Sequence, residues 1–262
     1  MPTSPEARGP FLWSLVLIVI GGALLLDNFL LLGDFEVTRL LPLVLVVAGA
    51  QLVLRGDLMP SSAVRPFSIT RGSVESGTLE ISAGEIDVQV RGLQREGRLV
   101  AGQFAADARP QLAVDGAHTT LRFLRAAAPW YALGDWQVAL ARDLPWQVFI
   151  STHVGQVDVD LSEIILQAGV IASGIGDVRV VCPAEAFGAL HIQSALGAIQ
   201  FITPVGYTAQ VTVQTGAFFG VKLDTARYTQ TAPHVYLATG ADPDIAPVEV
   251  FISGTFGDAY LA

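Results

Sequence analysis

Apolar residues recur through the middle of this chain in columns 21 positions apart. Gly134, Gly155, Gly176 and Gly197 mark the period. Two positions after each glycine stand Trp136, Val157, Val178 and Ile199, and four positions after stand Val138, Val159, Val180 and Phe201. The residue just before each is Leu133, Val154, Ile175 or Leu196, so all three columns are apolar. Inside each unit the pattern alternates, as in Gln156-Val157-Asp158-Val159-Asp160-Leu161, with one face apolar and the other polar. A fixed period with strand-type alternation predicts an all-β solenoid of parallel stacked coils.

Stacking at this period sets equivalent residues about 4.8 Å apart, as in a parallel ladder. On the outward face Asp158 is expected to stack on Arg179, with Gln137 and Gln200 flanking them. Thr152, Ser173, Ser194 and Thr215 form a hydroxyl column that predicts side-chain bonds at a corner of the coil. Inward columns continue with Val148, Leu190 and Val211, and with Ile150, Ile171, Ile192 and Val213. Gly169 interrupts the first of these, leaving a gap that a larger neighbour such as Phe187 would fill. Each repeat glycine is expected where the coil turns sharply and a side chain would clash or φ must be positive. After Thr215 the period slips by two, with Phe218 at the expected glycine site and Gly220 taking over. Segments around Gly84 and Gly257 read as diverged coils at the two ends, where open strand edges need protection. Pro233, Pro243 and Pro247 also suggest blocked ends.

The N-terminal region follows a different rule. Residues 11–26 are apolar apart from Ser14, and a second apolar run fills residues 40–54. At 1.5 Å per residue these runs span roughly 24 Å each, a little short of a ~30 Å hydrocarbon core. Extending the first through Leu32 and starting the second near Phe35 supplies the missing length. The pattern predicts two transmembrane helices joined by a very short loop. Leu25-Leu26-Asp27-Asn28 follows the first run where a cleaved signal peptide would need small residues, so a retained span is favoured. Gly21 and Gly22 in one helix and Ala48 and Gly49 in the other are candidates for close helix packing in lipid. Asp27 and Asn28 fall near the end of the span, where they can reach interfacial water. Arg8, Arg55, Arg65 and Arg71 lie outside the hairpin and Arg39 flanks its loop, which places both chain ends in the cytoplasm by the positive-inside bias. The organisation expected is a hairpin over 1–58, a Pro/Ser linker over 59–66 and a β-solenoid over 67–262.

Composition narrows the chemistry. The 262-residue chain is 52% hydrophobic and 15% charged, with a net charge of -9. Lys222 is the only lysine, and no cluster of basic residues is evident along the chain, so a nucleic-acid partner lacks its electrostatic basis. Cys182 is the only cysteine, which excludes an internal disulfide, and it shares a column with Leu140 and Leu161 as a small core residue.

No catalytic, cofactor or metal residues are assigned. Asp135, Asp158, Asp160 and Asp177 are the carboxylates a polysaccharide-cleaving β-helix would need, yet they alternate along exposed ladders instead of converging on one substrate position. His118, His153, His191 and His234 lack metal-ligand spacing. Asp242-Pro243-Asp244 is a lone acidic turn. Phosphate-loop, dinucleotide and nucleophile-elbow motifs are absent from the sequence.

The hairpin with its LLLDN turn and a second span ending LVLRG resembles the N-terminal module of the LiaF-like family of bacterial membrane proteins. The run from Asp135 to Pro183 is similar to the toast-rack β-domain of LiaF-like and adhesin-like proteins, and PVEVFISGTFGDAYLA is similar to its closing strands. This resemblance implies a non-enzymatic membrane regulator of the cell-envelope stress response, with the lipid bilayer as its setting. Its implied partner is a sensor histidine kinase, held inactive until the cell wall is damaged. A membrane-tethered scaffold whose solenoids self-associate is the alternative that the repeat itself allows.

Overall fold

The structure, a computed structural model, describes residues 64–105, 110–124, 135–238 and 246–262. The proposed hairpin residues Gly21, Gly22, Ala48 and Gly49 lie outside these, as do Leu133, Gly134 and the Asp242–Asp244 turn. Among the described residues there are nineteen strands. The first six are β1 (Val64–Thr70), β2 (Ser76–Gly84), β3 (Asp87–Gly92), β4 (Arg98–Ala105), β5 (Gln111–Asp115) and β6 (His118–Leu124). Then come β7 (Asp135–Leu140), β8 (Pro145–Val154), β9 (Val157–Asp160), β10 (Ile165–Ile175), β11 (Val178–Val181) and β12 (Glu185–Ala186). The last are β13 (Leu190–Leu196), β14 (Ile199–Ile202), β15 (Ala209–Gln214), β16 (Phe219–Leu223), β17 (Tyr228–Ala232), β18 (Val235–Ala238) and β19 (Val248–Leu261). The first strand thus begins inside the stretch 59–66 expected to be a linker. Among the described residues no helix is long and apolar enough to cross a membrane.

Pairing resolves the strands into two facing ladders. Sheet A runs β1-β4-β7-β3-β9-β11-β14-β19-β16, parallel from β7 onward. Sheet B runs β5-β6-β2-β8-β10-β13-β19-β15-β18-β17, parallel between β6 and β15. Each coil contributes one strand to each sheet. The final strand, β19, is long enough to serve both, pairing through Val248–Phe256 in sheet B and Gly257–Leu261 in sheet A.

The 21-residue register holds wherever consecutive coils touch. Val157, Val178 and Ile199 stack in sheet A, as do Val159, Val180 and Phe201. Ile150, Ile171 and Ile192 stack in sheet B. All nine are buried, so the core is a set of straight apolar columns between the sheets.

The coils at both ends interleave, which corrects the expected order. The β2–β3 coil sits between β6–β7 and β8–β9, so Val88 separates Trp136 from Val157. At the other end β19 separates β13–β14 from β15–β16, and Ile252 stands between Ile192 and Val213. The segments around Gly84 and Gly257 are therefore internal coils and not terminal ones. Antiparallel strands close the ladders instead, β17–β18 and β5 in sheet B and β1–β4 in sheet A.

Three further expectations change. Phe187 is exposed, and the gap at Gly169 is filled by Leu190 and Leu166, whose methyl carbons would lie 2.6 and 3.4 Å from an added Cβ. Gly220 does not take over the turn: Phe219 pairs with Gly257, and its ring covers Gly254. In the hydroxyl column, Ser173 and Ser194 donate to the carbonyls of Gly155 and Gly176, both at 3.4 Å. Thr215 falls outside it, exposed and 3.3 Å from His234 Nδ1. Thr152 keeps its place beside Ser173, but its buried Oγ1 has no such partner. The neighbouring β2–β3 corner is one residue shorter, since Gly84 pairs with Thr152 while Val88 pairs with Val157.

Candidate functional site

The corners decide where surface side chains go. Gly155, Gly176, Gly197 and Gly257 have φ of +148°, +142°, +149° and +130°. A Cβ on Gly176 would lie 2.1 Å from the Gly155 carbonyl oxygen, and one on Gly197 2.2 Å from that of Gly176. Each glycine N–H donates to the next coil, Gly155 to Ile175 O and Gly176 to Leu196 O, both at 2.9 Å. A side chain here would force the coils apart, so the glycine ladder fixes both the turn and the spacing.

Between its corners, sheet A presents one unbroken row of outward side chains. In spatial order these are Gln103, Gln137, Gln89, Asp158, Arg179, Gln200, Tyr260 and Lys222. At about 4.8 Å per rung the row is roughly 34 Å long. The stacking of Asp158 on Arg179 is present, with an N–O distance of 3.9 Å, and Arg91 approaches the same carboxylate at 4.0 Å. Gln200 flanks Arg179 as expected, whereas Gln89 intervenes between Asp158 and Gln137. At the far end the Lys222 amine donates to Asp258 at 2.7 Å and to the Tyr260 hydroxyl at 3.0 Å. These bonds hold its pKa above the usual lysine range, so it stays charged.

Two grooves open on this face. One, of about 520 Å³, is lined by Asp158, Asp177, Arg179, Gln200 and Tyr260. The other, of about 490 Å³, is lined by Arg91, Arg95 and Arg98 with Gln89, Gln103 and Gln137. This arginine trio corrects the expectation that no basic cluster exists. Its signal was in the sequence, in the eight-residue run Arg-Gly-Leu-Gln-Arg-Glu-Gly-Arg at 91–98, whose turn between β3 and β4 gathers all three.

The aspartates do separate structural work. Asp177 Oδ1 accepts the Ala198 N–H at 2.8 Å, and Asp160 Oδ1 accepts from the backbone and hydroxyl of Ser162 at 3.0 and 2.6 Å. Asp177 shares the first groove with Asp158, while Asp160 is not among the residues that line it. The histidines are dispersed: His118 bonds Ser76 and Thr78, His191 stacks on Phe251, and His234 meets Thr215. Among the described residues no group of three or more His, Cys, Asp and Glu could hold a metal ion. Cys182 is buried, and desolvation pushes its thiol up to about 12, which disfavours the reactive thiolate.

This fold has been seen before. A candidate cell adhesion protein from Clostridium sporogenes superposes with a TM-score of 0.66 at 15% identity, over 76% of this chain and 97% of that one. A candidate adhesin from Bacteroides fragilis aligns over 77% and 98% of the two chains at 10% identity, with a TM-score of 0.31. At such identities only the first likeness carries weight, and it shows a shared fold. No family model matches the chain, and no curated protein matches it. The β-domain therefore shares its fold with that Clostridium protein.

Proposed function

We propose that this protein is a membrane-anchored, non-enzymatic interaction protein of the bacterial cell envelope. It acts in envelope-stress sensing in the LiaF-like manner, holding a sensor histidine kinase inactive. Two apolar runs, 11–26 and 40–54, anchor the chain as a two-pass hairpin with both ends in the cytoplasm. The β-domain supplies the recognition surface. The observation that carries this reading is the sheet A ladder: eight outward residues from eight adjacent strands, drawn up in register. A rigid, straight, mixed-charge row of this kind suits docking of a protein surface more than closure around a small molecule. The name of the Clostridium relative, cell adhesion, belongs to the same class of work.

The scaffold alternative is opposed by the ends. At three of the four ladder ends, β5, β1–β4 and β17–β18, antiparallel strands interrupt parallel stacking, and only β16 ends sheet A as a parallel strand. The test is crosslinking of the full-length protein in native membranes, followed by mass spectrometry. Recovery of a histidine kinase, lost when Arg179→Glu reverses a charge in the sheet A row, supports the regulator with the β-domain as its recognition surface. Recovery of long self-assemblies alone would overturn it.

A further inference from the structure

The corner glycines are each preceded by a large apolar residue, and these side chains point outward. Val154, Ile175 and Leu196 pair in register, Leu196 pairs with Phe256, and Phe256 stacks on Phe218 with ring centroids 5.0 Å apart. The five are 45–66% exposed. One residue per coil at about 4.8 Å spacing makes a straight ridge roughly 19 Å long. Exposed His153 and the small Gly174, Ala195 and Thr255 flank it on one side and the corner glycines on the other. The ridge therefore stands clear of its shoulders, and no charged side chain adjoins it along the chain. Exposed Glu85, at the corner of the β2–β3 coil, ends the apolar run.

We propose that this ridge is a homodimer interface in which two copies pair ridge to ridge, side by side and antiparallel. The size of the side chains supports a second copy as the occupant. The ridge tapers from two phenylalanines through leucine and isoleucine to valine. Reversing one copy sets Phe218 against Val154 and Phe256 against Ile175, large against small, with Leu196 meeting its own equivalent on the two-fold axis. Such an isologous contact closes on itself and leaves no ridge free. The five side chains expose on the order of 500 Å² of apolar surface. Two copies would then bury at most on the order of 1,000 Å² from the ridges themselves, so reaching the lower bound for a specific interface needs contact along the shoulders as well. A charged ligand finds no counter-charge here. The chain's net charge of -9 argues against an anionic lipid surface, and the five ridge side chains carry no charge of their own.

This dimer is independent of the kinase reading and stands or falls without it. The test uses full-length protein in native membranes, where Cys182 is buried and a new surface cysteine is the only accessible thiol. Leu196→Cys is expected to form a disulfide-linked dimer under mild oxidation, and Val205→Cys, 90% exposed and off the ridge, is expected to stay monomeric. Val154→Cys and Phe218→Cys should crosslink to each other when co-expressed. Adding Ile175→Asp, at an exposed position, should abolish the Leu196→Cys crosslink while leaving the thermal melt unchanged. A photocrosslinker on Leu196→Cys should likewise capture the same chain. Adducts to another protein or to lipid, or a crosslink that survives Ile175→Asp in folded protein, would overturn the proposal.

Discussion

Replacing Gly176 by alanine tests whether the coil spacing is set at the corner. The added Cβ would lie 2.1 Å from the Gly155 carbonyl oxygen and 2.7 Å from its carbon, and φ at this position is +142°. Two penalties follow. Holding a non-glycine residue in that backbone region costs about 1–3 kcal/mol, and forcing two backbones apart costs about 1–3 kcal/mol more. Other glycines separate the two terms. Gly206 has φ +90° with nothing within 4 Å of its would-be Cβ, so Gly206→Ala carries the conformational term alone. Gly216 has neither feature, and Gly216→Ala should be close to neutral. A domain of this size loses about 2–4 °C of Tm per kcal/mol, so the backbone clash should place Gly176→Ala roughly 2–12 °C below Gly206→Ala. Thermal unfolding of the full-length protein in detergent, followed by tryptophan fluorescence, reads this out because Trp136 and Trp146 are fully buried. A Gly176→Ala melt no lower than that of Gly206→Ala would refute the argument that close coil approach demands glycine here.

Val178→Asp should unfold the β-domain, since it buries an unpaired carboxylate between Val157 and Ile199 at several kcal/mol against a typical stability of ~5–15; an unchanged melt would disprove the register. Asp158→Ala should shift stability by only about 0–1 kcal/mol, because its ion pairs are solvent-exposed. A large loss of partner crosslinking in the same variant would place the docking surface on sheet A. Burial raises Cys182 from 9.0 to about 12 and Tyr228 from 10.0 to about 12. The protonated forms are thus favoured by folding: their contribution is complete below pH 9 and is lost as pH rises toward 12. Cys182→Ala should flatten the fall in denaturation midpoint between pH 9 and 10, and an unaltered slope would show that the thiol is not desolvated.

The repeat was legible because the three central coils, β8–β9, β10–β11 and β13–β14, have the same perimeter. A 21-residue circuit returns Val157, Val178 and Ile199 to one line whatever lies between other coils, so spacing alone gave the core columns of both sheets. The order of coils was not legible for the same reason. A period records how long a circuit is, not which circuit is its neighbour, and β19 can enter between β14 and β16 without changing it. The arginine groove was missed on different grounds: Arg91, Arg95 and Arg98 sit among acidic and neutral residues, and only the β3–β4 turn gathers them.

The ridge shows what periodicity leaves undecided. Strand alternation puts Val148, Ile150 and Thr152 inward and would put Val154 inward too. The corner at Gly155 breaks the alternation and turns Val154 out, and the same geometry acts on Ile175 and Leu196. Folding asks nothing apolar of these positions. Their backbone carbonyls hold the neighbouring coil's glycine, and any side chain that avoids the corner would serve. Serine or aspartate there would leave the core intact and spare the chain an exposed apolar strip. Five coils nonetheless carry Val, Ile, Leu, Phe and Phe in line, beside shoulders that are small except at His153. Within one chain, a costly choice repeated where the fold does not require it needs a reason outside the fold, and burial against a second ridge supplies one.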